Sequence, residues 1–487
     1  MKKIYIIALT LLTVAGCKKD LIQNPSNAVN SNNAFNTPAD FTNAVLGCYS
    51  GLLSKNIPPV NGTVPPATYY GGQDGGAMTA TPDVLSDNVI LNQQGRKSEQ
   101  DFFNFKYTGN ETWDMWSNAY VAISRANNII ANIGHLSSGS FKDNIEGEAL
   151  AVRALAHFDL LRLYAKSYTS ASATDPGVPY VTSTDPTQLP ARTADKTAYD
   201  LVVADFVKAQ SLIALDNGVG RMNKAAVEGL MSRVYLYRGE WQNCVNAATN
   251  AIADAPAANA LAPAADFGLI WTDDTEEDVL FKVKMLDGDG IPIGVGYEQS
   301  TPNGVKAEYS VAFSFFNLYT STDVRGPAYI GQSTFNTINY NYVKKYAGRT
   351  TGDANVVDSK VIRMGEVYLN RAEAYYNLPD QVNALADLNT LRANRYTTFV
   401  PGVETGTNLY NAILLQRRLE LAFEGSRFFD IKRLNLPIQR DNFGDNADGT
   451  GVPASVQSVP ANSPLFQLPI PIYEINVNKN IVQNPGY

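Results

Sequence analysis

Residues 223–252 and 361–392 constrain this chain more than any other part. Each spells an amphipathic helix, a breaker and a second amphipathic helix within about 30–34 residues. In the first, AAVEGLMSRVYLYRG runs to Gly239 and the pattern resumes as EWQNCVNAATNAI. In the second, VIRMGEVYLNRAEAYYN stops at Leu378 and Pro379 before DQVNALADLNTLR. Small residues and tyrosines fall where the two helices of each pair would touch. A helix pair of this kind cannot bury its apolar faces alone, so the chain must supply stacked neighbours.

Four further helical patterns supply them. From Pro38, the residues Phe41, Val45, Leu46 and Leu52 line up. Across 113–133, Trp113, Trp116, Tyr120, Ile123, Asn127, Ile130 and Ile133 recur at intervals of three and four. Residues 148–166 place Leu150, Ala154, His157, Phe158, Leu161 and Tyr164 on one side, and Tyr199, Val202, Phe206, Ala209 and Ile213 form another stripe. Residues 58–81, 175–190, 287–355 and 441–464 read as loops, rich in Gly, Pro, Asn and Thr, and residues 278–283 are a short β-like run. The expected fold is mainly α, with tetratricopeptide-like (TPR-like) helix pairs forming a helical scaffold, long irregular loop insertions and little β-strand.

Residues 417–433, RRLELAFEGSRFFDIKR, hold the densest charge. Leu415, Leu419, Ala422 and Phe423 give that stretch an apolar face, while Glu424, Arg427, Asp430 and Arg433 alternate in sign at intervals of three, as in a ladder of ion pairs on one helix. Gly425 interrupts the ladder or marks a close backbone approach. Paired carboxylates such as Glu420 and Glu424 are also what a glycosidase needs. Alternating charge on a helix is more commonly structural, and an ion-pair network locking the last helices against the body is the reading preferred here.

At the other end, Lys2 and Lys3 precede an apolar run from Ile4 to Ala15 and the tetrapeptide Val14-Ala15-Gly16-Cys17. This is a secretory signal ending in a lipobox. Residues 1–16 are read as the lipoprotein signal peptide, with Cys17 becoming the acylated first residue, and residues 17–37, rich in Asn, Ser and Pro, as a lipidated tether. Residues 38–220 and 221–487 then form N- and C-terminal halves packed as one globular unit. Removing residues 1–16 takes the net charge from −8 to −10, so nucleic acid is an unsuitable partner. Beyond Cys17 only Cys48 and Cys244 remain, both in helical patterns and both expected as small core residues. With two histidines in the chain, no Cys/His zinc cluster is available, and no nucleophile elbow or phosphate loop occurs. His157, among Ala154, Phe158 and Leu161, reads as a satisfied core residue.

The chain resembles the SusD/RagB family of surface lipoproteins. The resemblance rests on seven matches in order: the Cys17 lipobox, the 113–133 helix with Arg125 and Asn127, GEALAVRALAHFDLLRLYA from Gly147, the 225–237 helix, RAEAYYN from Arg371, the 417–433 hallmark, where Gln416 replaces the family's usual Glu, and the terminal PIP…QNPGY. It implies a lipid-anchored outer-membrane protein facing the cell exterior. Such a protein binds an oligosaccharide, or sometimes a peptide, and sits over a SusC-like TonB-dependent transporter. Catalysis is not required of it; a surface glycosidase and a TPR-like interaction scaffold are the rival readings.

A sugar-capture site needs exposed aromatic faces with amide or charged groups beside them. Aromatics in loops are the candidates: Tyr69 and Tyr70 in the first Gly-rich loop and Tyr297 and Tyr309 in the 287–355 insertion, with Asp83, Asp87, Arg96 and Asn303 as polar partners. Trp113 and Trp116 obey the helix period and are assigned to the core, while Trp271 fits either role. No cofactor is expected, although Asp287-Gly-Asp289-Gly and Asp445-Asn446-Ala447-Asp448 are oxygen-rich enough to offer Ca²⁺ ligands without the full spacing of a calcium loop.

Overall fold

A computed structural model describes residues 34–53, 69–72, 76–109, 115–289 and 291–487. Cys17, the leader, the tether up to residue 33 and Trp113 lie outside the described residues.

The body is helical, and ten helices of eight residues or more occur among the described residues. They are α1 (Pro38–Leu53), α2 (Met115–Asn132), α3 (Ser140–Tyr164), α4 (Asp195–Leu212), α5 (Lys224–Arg238), α6 (Trp241–Asp254), α7 (Met364–Asn377), α8 (Gln381–Ala393), α9 (Gly406–Glu420) and α10 (Ser426–Arg433). Helix α3 is the axis. Every residue from 147 to 164 is buried, the state of a helix enclosed on all sides. Leu155, Phe158, Leu160 and Leu161 are fully buried there, each worth about 1.5–3 kcal/mol of apolar burial.

Both helix pairs form. Asn223 caps α5 by accepting from the Ala226 N–H at 2.8 Å, and Gly239, at φ 70°, turns the chain into α6. Asp380 caps α8 by accepting from the Asn383 N–H at 3.2 Å. The second pair begins later than its periodicity suggests, because residues 361–363 belong to a strand. Polar contacts join the pairs, Arg233 of α5 meeting both Glu366 oxygens at 2.6 Å and Asn370 donating to Ser232 Oγ at 3.0 Å, and within the second pair Arg371 holds Asp387 of α8 at 2.7 and 2.8 Å.

Residues 287–355 are more ordered than their composition suggests. Strands β1 (Val89–Leu91), β2 (Val279–Val283), β3 (Gln299–Thr301), β4 (Gly304–Lys306), β5 (Tyr309–Val311), β6 (Ile330–Phe335), β7 (Ile338–Val343) and β8 (Ser359–Arg363) occur, and β1-β5-β7-β6 form one antiparallel sheet. Strand β2 pairs with β8, and β3 with β4. These strands are short; β3–β4 and β6–β7 are local hairpins, whereas β1 pairs with β5 and β2 with β8 across long sequence separations, Val89 with Val311 for example. With 45% helix and 10% strand the fold remains mainly α.

Three local expectations are corrected. Leu46 is 48% and Leu415 39% exposed, because α1 and α9 bury narrower faces than the apolar spacing implies. The described part of the 58–81 stretch is core rather than loop surface: Tyr69, Tyr70, Ala77, Met78 and Ala80 are all buried. The ladder on residues 424–433 does not form along one helix. The helix breaks after Glu420, Phe423 takes φ 64° and Gly425 φ 74°, and of that series only Asp430 and Arg433 pair with each other.

Candidate functional site

The break at Gly425 turns the charges of the hallmark outward from their own helix, onto other elements. Arg417 of α9 holds both Asp430 oxygens at 2.9 Å, and Arg433 grips Glu373 of α7 at 2.6 and 2.7 Å. Behind them lies a cluster that is buried except at the partly exposed Glu424. Arg363, at the end of β8, donates to Glu424 at 2.7 and 2.8 Å, to Glu420 Oε1 at 3.0 Å and to Asp278. Arg395 donates to Glu420 at 2.9 and 3.0 Å, and Arg325 to Asp323 at 2.8 and 2.9 Å and to Gln416 Oε1 at 2.8 Å. Lys345 reaches Glu424 Oε1 at 2.7 Å from between the rings of Trp271 and Tyr329, 3.8 Å from each centroid.

Four cations thus meet four carboxylates, Asp278, Asp323, Glu420 and Glu424, so the buried charge is balanced. Burial alone would raise the Glu420 carboxyl, but the guanidinium groups of Arg395, Arg363 and Arg325 outweigh it and hold that carboxyl well below the usual range. Trp271 is thereby placed in a buried wall. Neither Glu420 nor Glu424 faces open space in which a sugar could lie.

Most of the loop residues selected from sequence belong to the same interior. Tyr69 and Tyr70 stack 4.9 Å apart and donate to Asp159 Oδ2 at 3.0 and 2.6 Å, so neither offers an open ring face. Asp83 is fully buried and accepts the Gly425 N–H at 2.8 Å; burial pushes its carboxyl up to about 7. Asp87 receives Arg427 at 2.7 and 2.8 Å and Arg418 at 3.3 Å. Tyr297 lies against Tyr346, Tyr309 and Phe423, and Tyr309 is buried in β5. These six residues anchor the hallmark and its surroundings, and the correction has one cause: a tyrosine or aspartate beside glycines in sequence can be covered by elements hundreds of residues away.

Arg96 and Asn303 differ. Arg96 is partly exposed and donates to Glu308 at 2.6 Å, and Asn303 is exposed at the turn between β3 and β4. Neither lines the open polar cleft of ≈ 710 Å³ formed by Gln332, Ser333, Thr334, Thr337, Ile338, Asn339 and residues 446–448, although segments next to both are bonded to its β6–β7 wall. The β3–β4 turn is tied to it by the Val305 N–H, which donates to Ser333 Oγ at 2.9 Å; Gln94, two residues before Arg96, accepts from Asn336 Nδ2 at 3.3 Å.

The cleft is held in shape from several directions. Ala447 N donates to Asn339 O at 2.8 Å, while Asp445 accepts the N–H groups of Gln93 and Val452, both at 2.8 Å. Asp448 Oδ1 accepts the Thr450 N–H at 3.0 Å, and Asp287 Oδ1 that of Asp353 at 3.1 Å, so both oxygen-rich runs are built into turns. Among the described residues no group of three or more His, Cys, Asp or Glu side chains is placed to hold a metal ion. At the tip of the β6–β7 hairpin, Asn336 and Thr337 have φ 49° and 70°. Thr337 is β-branched, and that conformation costs on the order of 1–3 kcal/mol, a strain that collects at functional sites. Gly449, next to Asp448, carries the cleft wall to an aromatic pair: a Cβ there would lie 2.8 Å from Phe313 and 3.0 Å from Phe443. Those rings pack edge-on at 4.9 Å, and Phe443 is 45% exposed. Amides, hydroxyls and a carboxylate therefore converge on the cleft, and the exposed Phe443 ring lines a separate recess beyond Gly449. Sequence reasoning offered Asp445–Asp448 only as an oxygen-rich run and missed the β6–β7 residues; the signal available was the turn chemistry of STFNTINYN and the Asn/Asp/Gly run at 442–451.

Comparison with known proteins fits this architecture. A profile described as the SusD family matches residues 291–487, and one described as starch-binding, associating with outer membrane, matches residues 67–236. SusD-like protein P2 of Formosa agariphila is 24% identical over the full length of both chains. Among solved structures, a putative sugar-binding protein from Bacteroides vulgatus superposes with a TM-score of 0.80 at 26% identity, covering 93% of this chain and 99% of that one. A SusD superfamily protein from Bacteroides thetaiotaomicron gives 0.78 at 27% identity, covering 92% and 100%. Surface glycan-binding protein A from Bacteroides uniformis shares the fold at 16% identity, with a TM-score of 0.71 and coverage of 92% and 99%. With profile matches that take in residues 67–236, the second helix pair and the hallmark, and with superposition over more than nine-tenths of the chain, the chain belongs to the SusD family.

Proposed function

We propose that this protein captures an oligosaccharide at the outer-membrane surface and passes it to a SusC-like TonB-dependent transporter, anchored through an acylated Cys17. The observation that carries the binding role is the cleft of ≈ 710 Å³, whose amide and hydroxyl groups suit the polar edges of sugar rings; the exposed Phe443 ring in the recess beyond Gly449 offers a surface to an apolar face of a longer ligand. The sugar- and glycan-binding descriptions of the solved relatives support the same class of ligand. A peptide remains the second ligand class, since the cleft also offers hydrogen-bonding groups to an extended backbone.

A surface glycosidase built on Glu420 and Glu424 is disfavoured by geometry, because both carboxylates are consumed by arginine and lysine partners in the interior. Isothermal titration against a panel of oligosaccharides and peptides tests the proposal. Binding of one glycan class is expected, weakened about tenfold or more by Phe443→Ala, a change of about 1.4 kcal/mol, with thermal stability unchanged. Tight association with the transporter but no binding of any panel member would favour the TPR-like scaffold reading.

A further inference from the structure

A second, smaller cavity of ≈ 180 Å³ lies on another part of the molecule, where the C-terminal ends of α3 and α10 meet residues 462–467. Lys166, Ser167, Ser170, Lys432, Asn435, Asn462, Ser463 and Gln467 supply its polar lining, and no carboxylate lines it. In a chain of net charge −8, a recess walled by two lysines, with hydroxyls and amides between them, is a local reversal of sign.

Lys432 is the informative member. Its side chain is 8% exposed and its ammonium donates to Arg162 O at 2.6 Å. No carboxylate among the described residues forms an ion pair with it. Lys166, by contrast, pairs with Asp175 at 2.9 Å and is 42% exposed. Burial pushes the Lys432 amine down to about 7, the mark of an ammonium whose charge the protein leaves uncompensated. The carboxylate that its charge feels most, Asp195, is itself buried and pushed up to about 7 by burial, and it does not line the cavity. Gln467 is 8% exposed, and no hydrogen bond within the described residues engages its amide or those of Asn435 and Asn462. Two lysines, one of them without a carboxylate partner, and three side-chain amides not engaged within the described residues therefore line one small space. A buried ammonium without a counter-charge is costly, and a bound anion would offset that cost.

We infer that this cavity binds a tetrahedral oxyanion, sulfate or phosphate, either free or as the ester group of a sugar. Its volume is below the about 300–1,000 Å³ of drug-sized ligand sites, so it accepts the anion and at most one attached ring. This inference does not depend on the glycan cleft, because the two cavities share no lining residue.

Isothermal titration of the full chain with sodium sulfate, sodium phosphate and glucose 6-sulfate, in chloride buffer of matched ionic strength, is the test. Saturable binding of at least one of the three is expected, lost in Lys432→Met and at least tenfold weaker in Lys166→Glu. The latter position is half-exposed, so that variant keeps the test usable should the buried one fold poorly. Phe443→Ala should bind the anion as the unmodified protein does. Tighter binding of glucose 6-sulfate than of sulfate would assign the site to a sugar ester; equal or weaker binding would assign it to the free ion. Absence of saturable heat with all three, or the same affinity in Lys166→Glu as in the unmodified protein, would overturn the inference.

Discussion

Glu424 pairs with Lys345 and shares Arg363 with Glu420 and Asp278. Lys345 and Arg363 are both almost fully buried and both bond its carboxylate, so Glu424→Ala leaves uncompensated charge in the interior. A loss of about 3–5 kcal/mol is expected from breaking a buried pair in this way, measured by urea denaturation; a loss below about 1 kcal/mol would show that the cluster rearranges freely. His157 illustrates the opposite strategy, a buried base kept neutral. Its Nε2 accepts the Val181 N–H at 3.0 Å and its Nδ1 faces Arg153 O at 2.9 Å, which assigns the proton to Nδ1. Burial lowers its pKa from 6.5 to about 3. The unfolded chain therefore binds a proton that the folded one refuses, and stability falls as pH drops from 6.5 toward 3, by about 1.4 kcal/mol per unit from this group. His157→Gln retains one donor and one acceptor without a titration, so the difference in stability between it and the unmodified protein should change with pH in that window and be flat above it. A constant difference across the window would contradict the neutral assignment.

At the scale of elements, the helix break at residues 421–425 is what converts a local charge pattern into long-range cross-links. Gly425 takes φ 74° and lies so close to the short helix Ala80–Val84 that a Cβ would stand 2.3 Å from Met78 O. Gly425→Ala should cost at least about 2–3 kcal/mol and should lower the denaturation midpoint, while a Gly→Ala change at the exposed, open Gly134, with nothing within 4 Å of its Cβ, should be nearly neutral. The helices themselves were readable because each carries its own periodicity and caps: α5 begins at an Asn cap and ends at Gly239 just where the residue types ask for it. The strands were not, since β1 and β5 are three residues each and their partners lie more than two hundred residues apart. Pairing of that kind is decided by what else has already folded.

For the whole molecule, the terminal segment closes the fold. Asn484 donates from its amide to Tyr164 O and Leu468 O and accepts Arg192 at 2.8 Å, pinning the last residues over the end of α3, so the ordered motifs of the sequence correspond to joints between distant parts. No helix among the described residues is long and apolar enough to cross a bilayer, and the proposed attachment through acyl chains on Cys17 is testable by itself. Cys17→Ala is expected to move the protein from the membrane fraction to the soluble fraction after cell lysis and to abolish incorporation of labelled palmitate; retention in the membrane fraction with undiminished labelling would refute lipidation at that residue. The sequence by itself determined the helix pairs, the buried role of Cys48, Cys244, His157 and Trp116, and the family likeness, because periodicity and short motifs are local. Only the tertiary structure decided which loop residues face solvent. Tyr69 went inward against Asp159, and Asp83 and Asp87 as anchors of the hallmark, while Asn339 and Asn446 line the open cleft, and the reason is that burial depends on what packs from elsewhere in the chain rather than on a residue's neighbours.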